Sequence, residues 1–417
     1  MHIRHVIQVS ICALVLSTAV GGARQATGPA AFAGPVTPLT SPAPAGSAQP
    51  NLVTDAKGRI WLSWLEPRTA GGHRFRLSSL TGTAWSAPIT IAEGTNFLAN
   101  WADFPSVFVA ADGTIAAHWL ERTTGRAAYS VRMRTSKDAG VTWTPTLTPH
   151  RDESATEHGF VSFFDAPGGG VGVAWLDGRE MAAGAGHAAA GHGAGSMTLR
   201  STVIRNGAAG AESVIDPRVC DCCQTSAARA GNVVLVAYRD RSDKEIRDTS
   251  IARFVNGAWE APVTVHADGW ELNGCPVNGP VVAAAGNAAA VSWFTGAGNT
   301  PKTFVAFSAD AGKTFGAPVR IDTSSNVTLG RLAMLMPSAD RVLVTSLERG
   351  STGGRLLMRE VRKNGALSEP LLISDATPDR SGGFARLAQS GRRVVIAWTD
   401  VRPNTPARIA IASLELR

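Results

Sequence analysis

The sequence predicts an all-β chain folded as a seven-bladed β-propeller, and three observations predict it. The first is a repeat. A short apolar strand, in most copies ending in an aromatic residue and then a carboxylate or Arg, recurs with key positions at 64, 119, 175, 238, 293, 346 and 398. A period near fifty residues with room for four short strands per unit is the signature of a propeller. The second is a turn met twice, Ser136-Lys-Asp-Ala-Gly-Val-Thr-Trp143 and Ser308-Ala-Asp-Ala-Gly-Lys-Thr-Phe315. The third is composition: 44 glycines, 18% charged residues and many short apolar runs among 417 residues lean toward strands and turns rather than helices.

Taken in order, the chain opens with a basic start at His2, Arg4 and His5 and an apolar run from Val6 to Val20. Small residues follow, and residues 1–25 read as a secretory signal peptide. The run is too short for a membrane span. A periplasmic or secreted location is expected. Residues 26–50 are rich in Pro and Ala and read as a linker, within which Val36 to Thr40 resembles the fourth strands of later units. Residues 51–417 carry the repeats. One unit illustrates the plan: strands at 105–110, 114–120, 127–135 and 143–147, with the eight-residue turn between the last two. In that turn Asp is expected to accept backbone N–H groups two residues on, while Gly supplies the positive φ. Degraded versions stand at Thr81–Trp85, Asn256–Trp259 and Asn364–Leu367. The long step between 175 and 238 is explained by a Gly/Ala/His insertion from Glu180 to Met197.

The last unit stops after its third strand, so the N-terminal strand at 36–40 is expected to supply its fourth and close the ring. If one of the weaker copies, 290–295 or 342–349, is misread, the count becomes six.

The formal charge is +7, and of 40 basic residues only six are lysine. The arginines are spread along the chain, without the block or stripe of a nucleic-acid binder. Nucleic acid is therefore not an expected partner. An anionic small molecule, a glycan or a protein partner is.

The twice-met Ser-x-Asp-x-Gly-x-Thr-aromatic turn resembles the Asp box, or bacterial neuraminidase repeat, of the sialidase-like β-propellers. The resemblance implies a propeller fold, with such turns on the outer rim away from the active site. Sialidases themselves have six blades, grip a substrate carboxylate with three arginines, and use a Tyr activated by Glu with an Asp as acid/base. Arg331 and Arg386, at matching positions of successive units, are the counterparts here, with Arg218 a loose third; the family's Phe-Arg-Ile-Pro motif is absent. The chain's two tyrosines, Tyr129 and Tyr238, fall in second or third strands. These points favour a non-catalytic binding or scaffold propeller. The alternative is an exo-sialidase or related glycoside hydrolase.

Loops leading into first strands should converge at one mouth. They bring Trp101, Asp103, Glu157, His158, Trp270, Asn273, Arg331 and Arg386 together as candidate ligand-binding residues. The same loops carry Cys220, Cys222, Cys223 and Cys275. With Cys12 of the leader set aside the count is four, and an even count in an exported chain favours two disulfides. A thiolate site for copper or zinc, with His158 as an added ligand, is the alternative. No other cofactor is expected. Met181, His187, His192 and Met197, in the insertion, have His/Met spacing that can bind copper, although such a composition also suits a plain surface loop. The repeated aromatic–carboxylate–Arg ends are expected to be architecture, with aromatics packing between blades and the charged pairs tying blades or loops together.

Overall fold

A computed structural model describes residues 32–124, 128–181, 195–322, 326–379 and 381–417. The leader at 1–25, and His187 and His192, lie outside these residues. Seven antiparallel sheets follow one another along the chain. The first three strands of blades one to seven begin with Ala48–Thr54, Ser106–Val109, His158–Asp165, Ser226–Ala230, Val281–Ala285, Val327–Ser338 and Arg386–Ser390. A 3-10 turn at Ala297–Asn299 is the only helical element among the described residues. No helix there is long and apolar enough to cross a membrane.

The ring closes as the sequence predicts. Thr37–Leu39 pairs antiparallel with the last strand, Arg408–Glu415, placing Leu39 opposite Ile411. The chain then passes directly into blade one, so the first and last blades are joined by one continuous stretch. The edge of Arg408–Glu415 is thereby covered, which removes a template for intermolecular pairing.

The seams explain the aromatic repeat. Trp64, Trp119, Trp175, Tyr238 and Trp293 are all essentially inaccessible to solvent. Each packs into the apolar seam with the preceding blade: Trp64 with Val395 and Ile411 of blade seven, Trp119 with Phe75 and Leu77 of blade one, Trp175 with Val131 and Met133 of blade two. Tyr238 and Trp293 do the same against Leu199 and Leu235. Blade six has Ser346 in this place, and Met334 and Met336 fill its seam instead. Truncating one of the buried indoles to Ala costs about 3–5 kcal/mol.

The charged ends differ from expectation. Glu66 binds Arg74 and Arg76, Glu121 binds Arg132, and Asp400 binds Arg402 and Arg408. Most of these pairs join second and third strands of one blade, while Arg402 stands in the loop between them and also donates to the Asp375 carbonyl of blade six at 3.0 Å. The reason is register: Glu121 and Arg132 are near-opposite across the ladder, where side chains on one face meet. Several also hold the indole, as where Trp119 Nε1 donates to Glu121 Oε1 at 2.8 Å and Trp175 Nε1 to Asp177 Oδ2 at 2.7 Å.

The two eight-residue turns are near copies. Ser136 Oγ donates to Asp138 Oδ1 at 2.8 Å and accepts Gly140 N–H at 2.9 Å; Ser308 does the same to Asp310 and Gly312 at 2.7 and 2.9 Å. The aspartate accepts the amide of the Thr four residues on, not two, at 2.8 Å in the first copy and 2.9 Å in the second. The Ser hydroxyl takes the nearer amides. Ala139 and Ala311 join the following glycines in left-handed backbone, with φ of 59° and 53°. In the first copy the fourth strand is reduced to one bridge, Met133 to Leu147.

The Thr142 hydroxyl and amide, with Ser136, hold Asp138 down at about 2. Slight burial works the other way on Asp310, but Thr314 and Ser308 outweigh it and bring it to about 2 as well. Folding thus favours the ionised carboxylates. Their contribution is complete above about pH 4 and is lost as pH falls through about 2. Chemical-denaturation midpoints measured between pH 5 and pH 2 should fall less steeply for an Asp138→Asn, Asp310→Asn double variant than for the unaltered chain. Parallel curves would mean the turns do not contribute through charge.

Candidate functional site

The seven first strands surround a central channel with a cavity of about 300 Å³. Its wall at one end is made by the loops that precede those strands, and these loops are bonded to one another around the axis. Asn51 of blade one accepts the amide of Val107 in blade two at 3.1 Å. Asp103 accepts the amide of Phe160 in blade three at 2.8 Å. Thr225 of blade four donates its hydroxyl to the Phe160 carbonyl at 2.7 Å. Gln224 donates to the Ala102 carbonyl at 2.6 Å and accepts the Gly279 amide of blade five at 3.0 Å. Asn278 accepts the Arg331 amide of blade six at 3.0 Å. At the other end of the first strands, the Thr54 hydroxyl of blade one donates to the Gln389 carbonyl of blade seven at 2.9 Å.

Two glycines make this closeness feasible. A Cβ on Gly159 would stand 2.0 Å from Asp103 Oδ2, and one on Gly279 would stand 2.0 Å from the Gln224 carbonyl. Both lie where a neighbouring loop's polar group must approach the backbone.

Arginines and aromatic rings furnish the mouth. The Arg331 guanidinium sits 4.2 Å from the ring centre of Phe384 and 5.2 Å from that of Trp101, and Nη1 donates to the Val277 carbonyl at 3.3 Å. Arg386 lies 4.7 Å over Phe104, which in turn packs edge-on against Phe384 at 4.9 Å. Phe104, Phe384, Arg331 and Arg386 all line the channel. Burial draws the Arg386 guanidinium down to about 10, so it remains charged at neutral pH. Among the described residues Arg386 forms no ion pair with a carboxylate.

The remaining expected residues occupy this same end but have other partners. Asp103 lines the channel yet is almost wholly buried, and it also accepts the Tyr129 hydroxyl at 3.3 Å. Burial, then the charges of Asp103 and Glu157, push the Tyr129 phenol well up. Glu157 is half-buried, its backbone bridged to Tyr129. His158 turns into blade three: Nε2 is 2.9 Å from Asp152 and 3.7 Å from Asp177, and its ring stacks on His150 at 4.0 Å. It therefore joins two carboxylates and not the cysteines. Trp270 packs on Phe294 at 5.6 Å and on the Arg239 guanidinium at 4.9 Å. Asn273 is exposed. Arg218 pairs with Asp243 at 2.6 Å, outside the channel wall.

Cys220, Cys222 and Cys223 lie in the loop before blade four, and Cys275 in the loop before blade five. The two expected disulfides are not formed in the structure: all four are free thiols, with Cys220 Sγ 3.3 Å from Cys223 Sγ and 3.9 Å from Cys222 Sγ. Burial, and after it Cys223, raise the Cys220 thiol to about 11 against the opposing pull of Cys222 and Arg247. Burial acts the same way on Cys223, but its two sulfur neighbours and the Arg239 guanidinium outweigh it and draw that thiol down. Met197 shares the apolar seam with Cys220, Cys222 and Cys223, and Met181 packs against the same cluster.

Phe104, Phe384, Gln224 and Asn278 were not singled out from sequence. All but Phe384 lie in stretches dense with Trp, Cys and Asn, yet nothing local marks Gln224 as the residue that spans to Ala102. The charge-dense stretch Tyr238–Asp248 is salt-bridged, with Glu245 pairing Arg241 and Arg247 at 2.8 Å, and it also holds two fully buried cations. Arg239 donates to the carbonyls of Asn278, Arg247 and Phe294, and Arg247 pairs with Glu245 at 2.8 Å.

No protein-family model matches the chain, and no curated protein matches it in sequence. Solved structures do match in shape. One is a protein of unknown function from Dyadobacter fermentans, at TM-score 0.52 and 14% identity over 92% of this chain and 99% of that one. A second is an α-L-arabinanase of Penicillium chrysogenum complexed with arabinobiose, at TM-score 0.51 and 13% identity over 91% and 96%. A third is a PL25 ulvan lyase bound to -[GlcA(1-4)Rha3S]-, at TM-score 0.53 and 10% identity over 89% and 95%. The chain shares their fold. At such identities the likeness extends to the fold alone.

Gly279→Ala should lower stability by about 2 kcal/mol, read as a reduced urea midpoint, because backbone blocks the new methyl group. Gly34→Ala, with nothing within 4 Å of the added Cβ, serves as the control and should leave the midpoint unchanged. An unaffected midpoint in Gly279→Ala would show that the mouth loops part without cost.

Proposed function

We propose that the protein is an exported, sialidase-like propeller that binds rather than cleaves carbohydrate, taking an acidic saccharide at the mouth of its channel. The observation that carries this reading is Arg386: a desolvated guanidinium on an aromatic floor, lining the cavity, with no carboxylate partner among the described residues. A guanidinium in such a place is suited to a carboxylate, which it meets with two parallel hydrogen bonds. Phe104 and Phe384 offer apolar faces for a sugar ring beside it. A cavity of about 300 Å³ is at the small end for ligand sites, the size of one terminal sugar. That solved neighbours include enzymes bound to arabinobiose and to a glucuronate-containing saccharide agrees with a carbohydrate ligand.

Three features support binding over hydrolysis. Tyr129 and Tyr238 are both buried within blades, where neither can attack a sugar in the channel. Asp103 is held by the Phe160 amide and the Tyr129 hydroxyl. Arg331 is clasped between two rings, with its Nη1 committed to a carbonyl. Export rests on the leader-like residues 1–25.

Calorimetric titration of the mature chain with a glucuronate-terminated oligosaccharide and its neutral counterpart tests the reading. The acidic form should bind and the neutral form bind at least about tenfold more weakly, because a charged hydrogen-bonded contact contributes about 1.5–3 kcal/mol. Arg386→Gln should abolish that preference. Affinity should stay level through neutral pH, where Arg386 keeps its proton. Equal binding of both saccharides would refute the reading. So would steady release of sugar, or of an unsaturated uronate, from either.

A further inference from the structure

The saccharide reading leaves the sulfur cluster without a role. The Sγ atoms of Cys220, Cys222 and Cys223 all lie within 4.8 Å of one another, and all three residues are buried. Cys222 is the hub, since its Sγ also lies within 4.8 Å of Cys275 Sγ across the gap between two loops. Asp221, Cys222 and Cys275 form a second close trio. A metal–thiolate bond of about 2.3 Å places sulfurs about 3.8 Å apart around a tetrahedral ion and about 4.0 Å apart around a trigonal one. The separations of 3.3 and 3.9 Å from Cys220 lie within about half an ångström of these values. Cys275 Sγ lies within 4.8 Å of Cys222 Sγ but not of all three sulfurs, so its loop must move inward for it to join them.

Charge points the same way. Three or four thiolates around one ion leave a net negative charge, which a buried site must offset. Arg239 and Arg247 are both fully buried beside the cluster, the first acting on Cys223 and the second on Cys220. Arg239 is satisfied by carbonyls alone, so its charge has no carboxylate to answer it there. Arg247 also faces Glu245 at 2.8 Å and Asp221 at 3.7 Å, and its Nη1 has no hydrogen-bond partner. Soft sulfur ligands select thiophilic ions over calcium, magnesium or manganese.

We propose that Cys220, Cys222 and Cys223, with Cys275 completing the set, form a binding site for one thiophilic d10 metal ion, Zn²⁺ or Cu⁺. Binding displaces the thiol protons to solvent and ties the loop before blade four to the loop before blade five. His158 takes no part, being held by Asp152 and Asp177.

The test uses the full mature chain, reduced and kept anaerobic, titrated separately with Zn²⁺ alone and Cu⁺ alone against a chromophoric chelator. One ion per chain is expected in at least one arm, with protection of all buried thiols from alkylation. Saturation by Zn²⁺ predicts a four-sulfur site that Cys275→Ser weakens at least a hundredfold. Saturation by Cu⁺ alone predicts a three-sulfur site that tolerates Cys275→Ser within tenfold. In both arms Cys222→Ser should cost at least a hundredfold in affinity, while circular dichroism and the urea midpoint of the metal-free variant establish that it folds. Uptake below a tenth of an ion per chain in both arms would overturn the proposal. So would unchanged uptake in Cys222→Ser, or mass spectrometry of chain isolated from an oxidising compartment showing Cys220, Cys222 or Cys223 fully bridged.

Discussion

The polar collar around the channel is the constraint on which the mouth depends. Side chains of one first strand and of three incoming loops satisfy backbone groups of neighbouring blades: Asn51 for Val107, Asp103 for Phe160, Thr225 for Phe160, Gln224 for Gly279, and Asn278 for Arg331. Loops must otherwise leave such groups to water, and a buried one left unpaired costs about 1–3 kcal/mol. The collar therefore lets irregular backbone be buried at the axis. It can exist only if the first and last blades meet, which is the work of the short strand Thr37–Leu39.

With the collar fixed, the chemistry of the mouth divides. Asp103 and Arg331 carry the charges that invite a catalytic reading, yet both are spent on holding loops and rings in place. Arg386 has a different position. It is supported from below by Phe104 and it faces the cavity. Pre-positioned against a rigid wall, it loses little freedom when an anion arrives, and this is where affinity is gained most readily. The sulfur cluster stands beside the channel rather than in it, so metal and saccharide would occupy neighbouring places without sharing ligands.

The architecture was legible in the sequence because it is written locally and repeatedly. The aromatic at positions such as 64, 119 and 175 needs a seam, and a seam needs a neighbouring blade. The Ser-x-Asp-x-Gly-x-Thr turn closes on itself through bonds spanning four residues. The missing fourth strand of the last unit called for one from the N-terminus. Within the site, the loops were legible but the directions of their side chains were not. His158 opens a first strand as expected, yet Asp152 and Asp177 draw its ring into blade three. Trp270 is held by Arg239, a residue remote in sequence. The pairing of Glu121 with Arg132 depends on strand register, which sequence spacing does not specify. Such contacts are decided by which loops the ring brings together.

The central claim is that Arg386 is the anion receptor of the channel. The most direct measurement is an experimental structure of the mature chain with a bound glucuronate-terminated disaccharide. The account predicts the carboxylate within hydrogen-bonding distance of the Arg386 guanidinium, with the sugar ring against Phe104 or Phe384. A saccharide seated elsewhere, with Arg386 turned to a protein carboxylate, would contradict it.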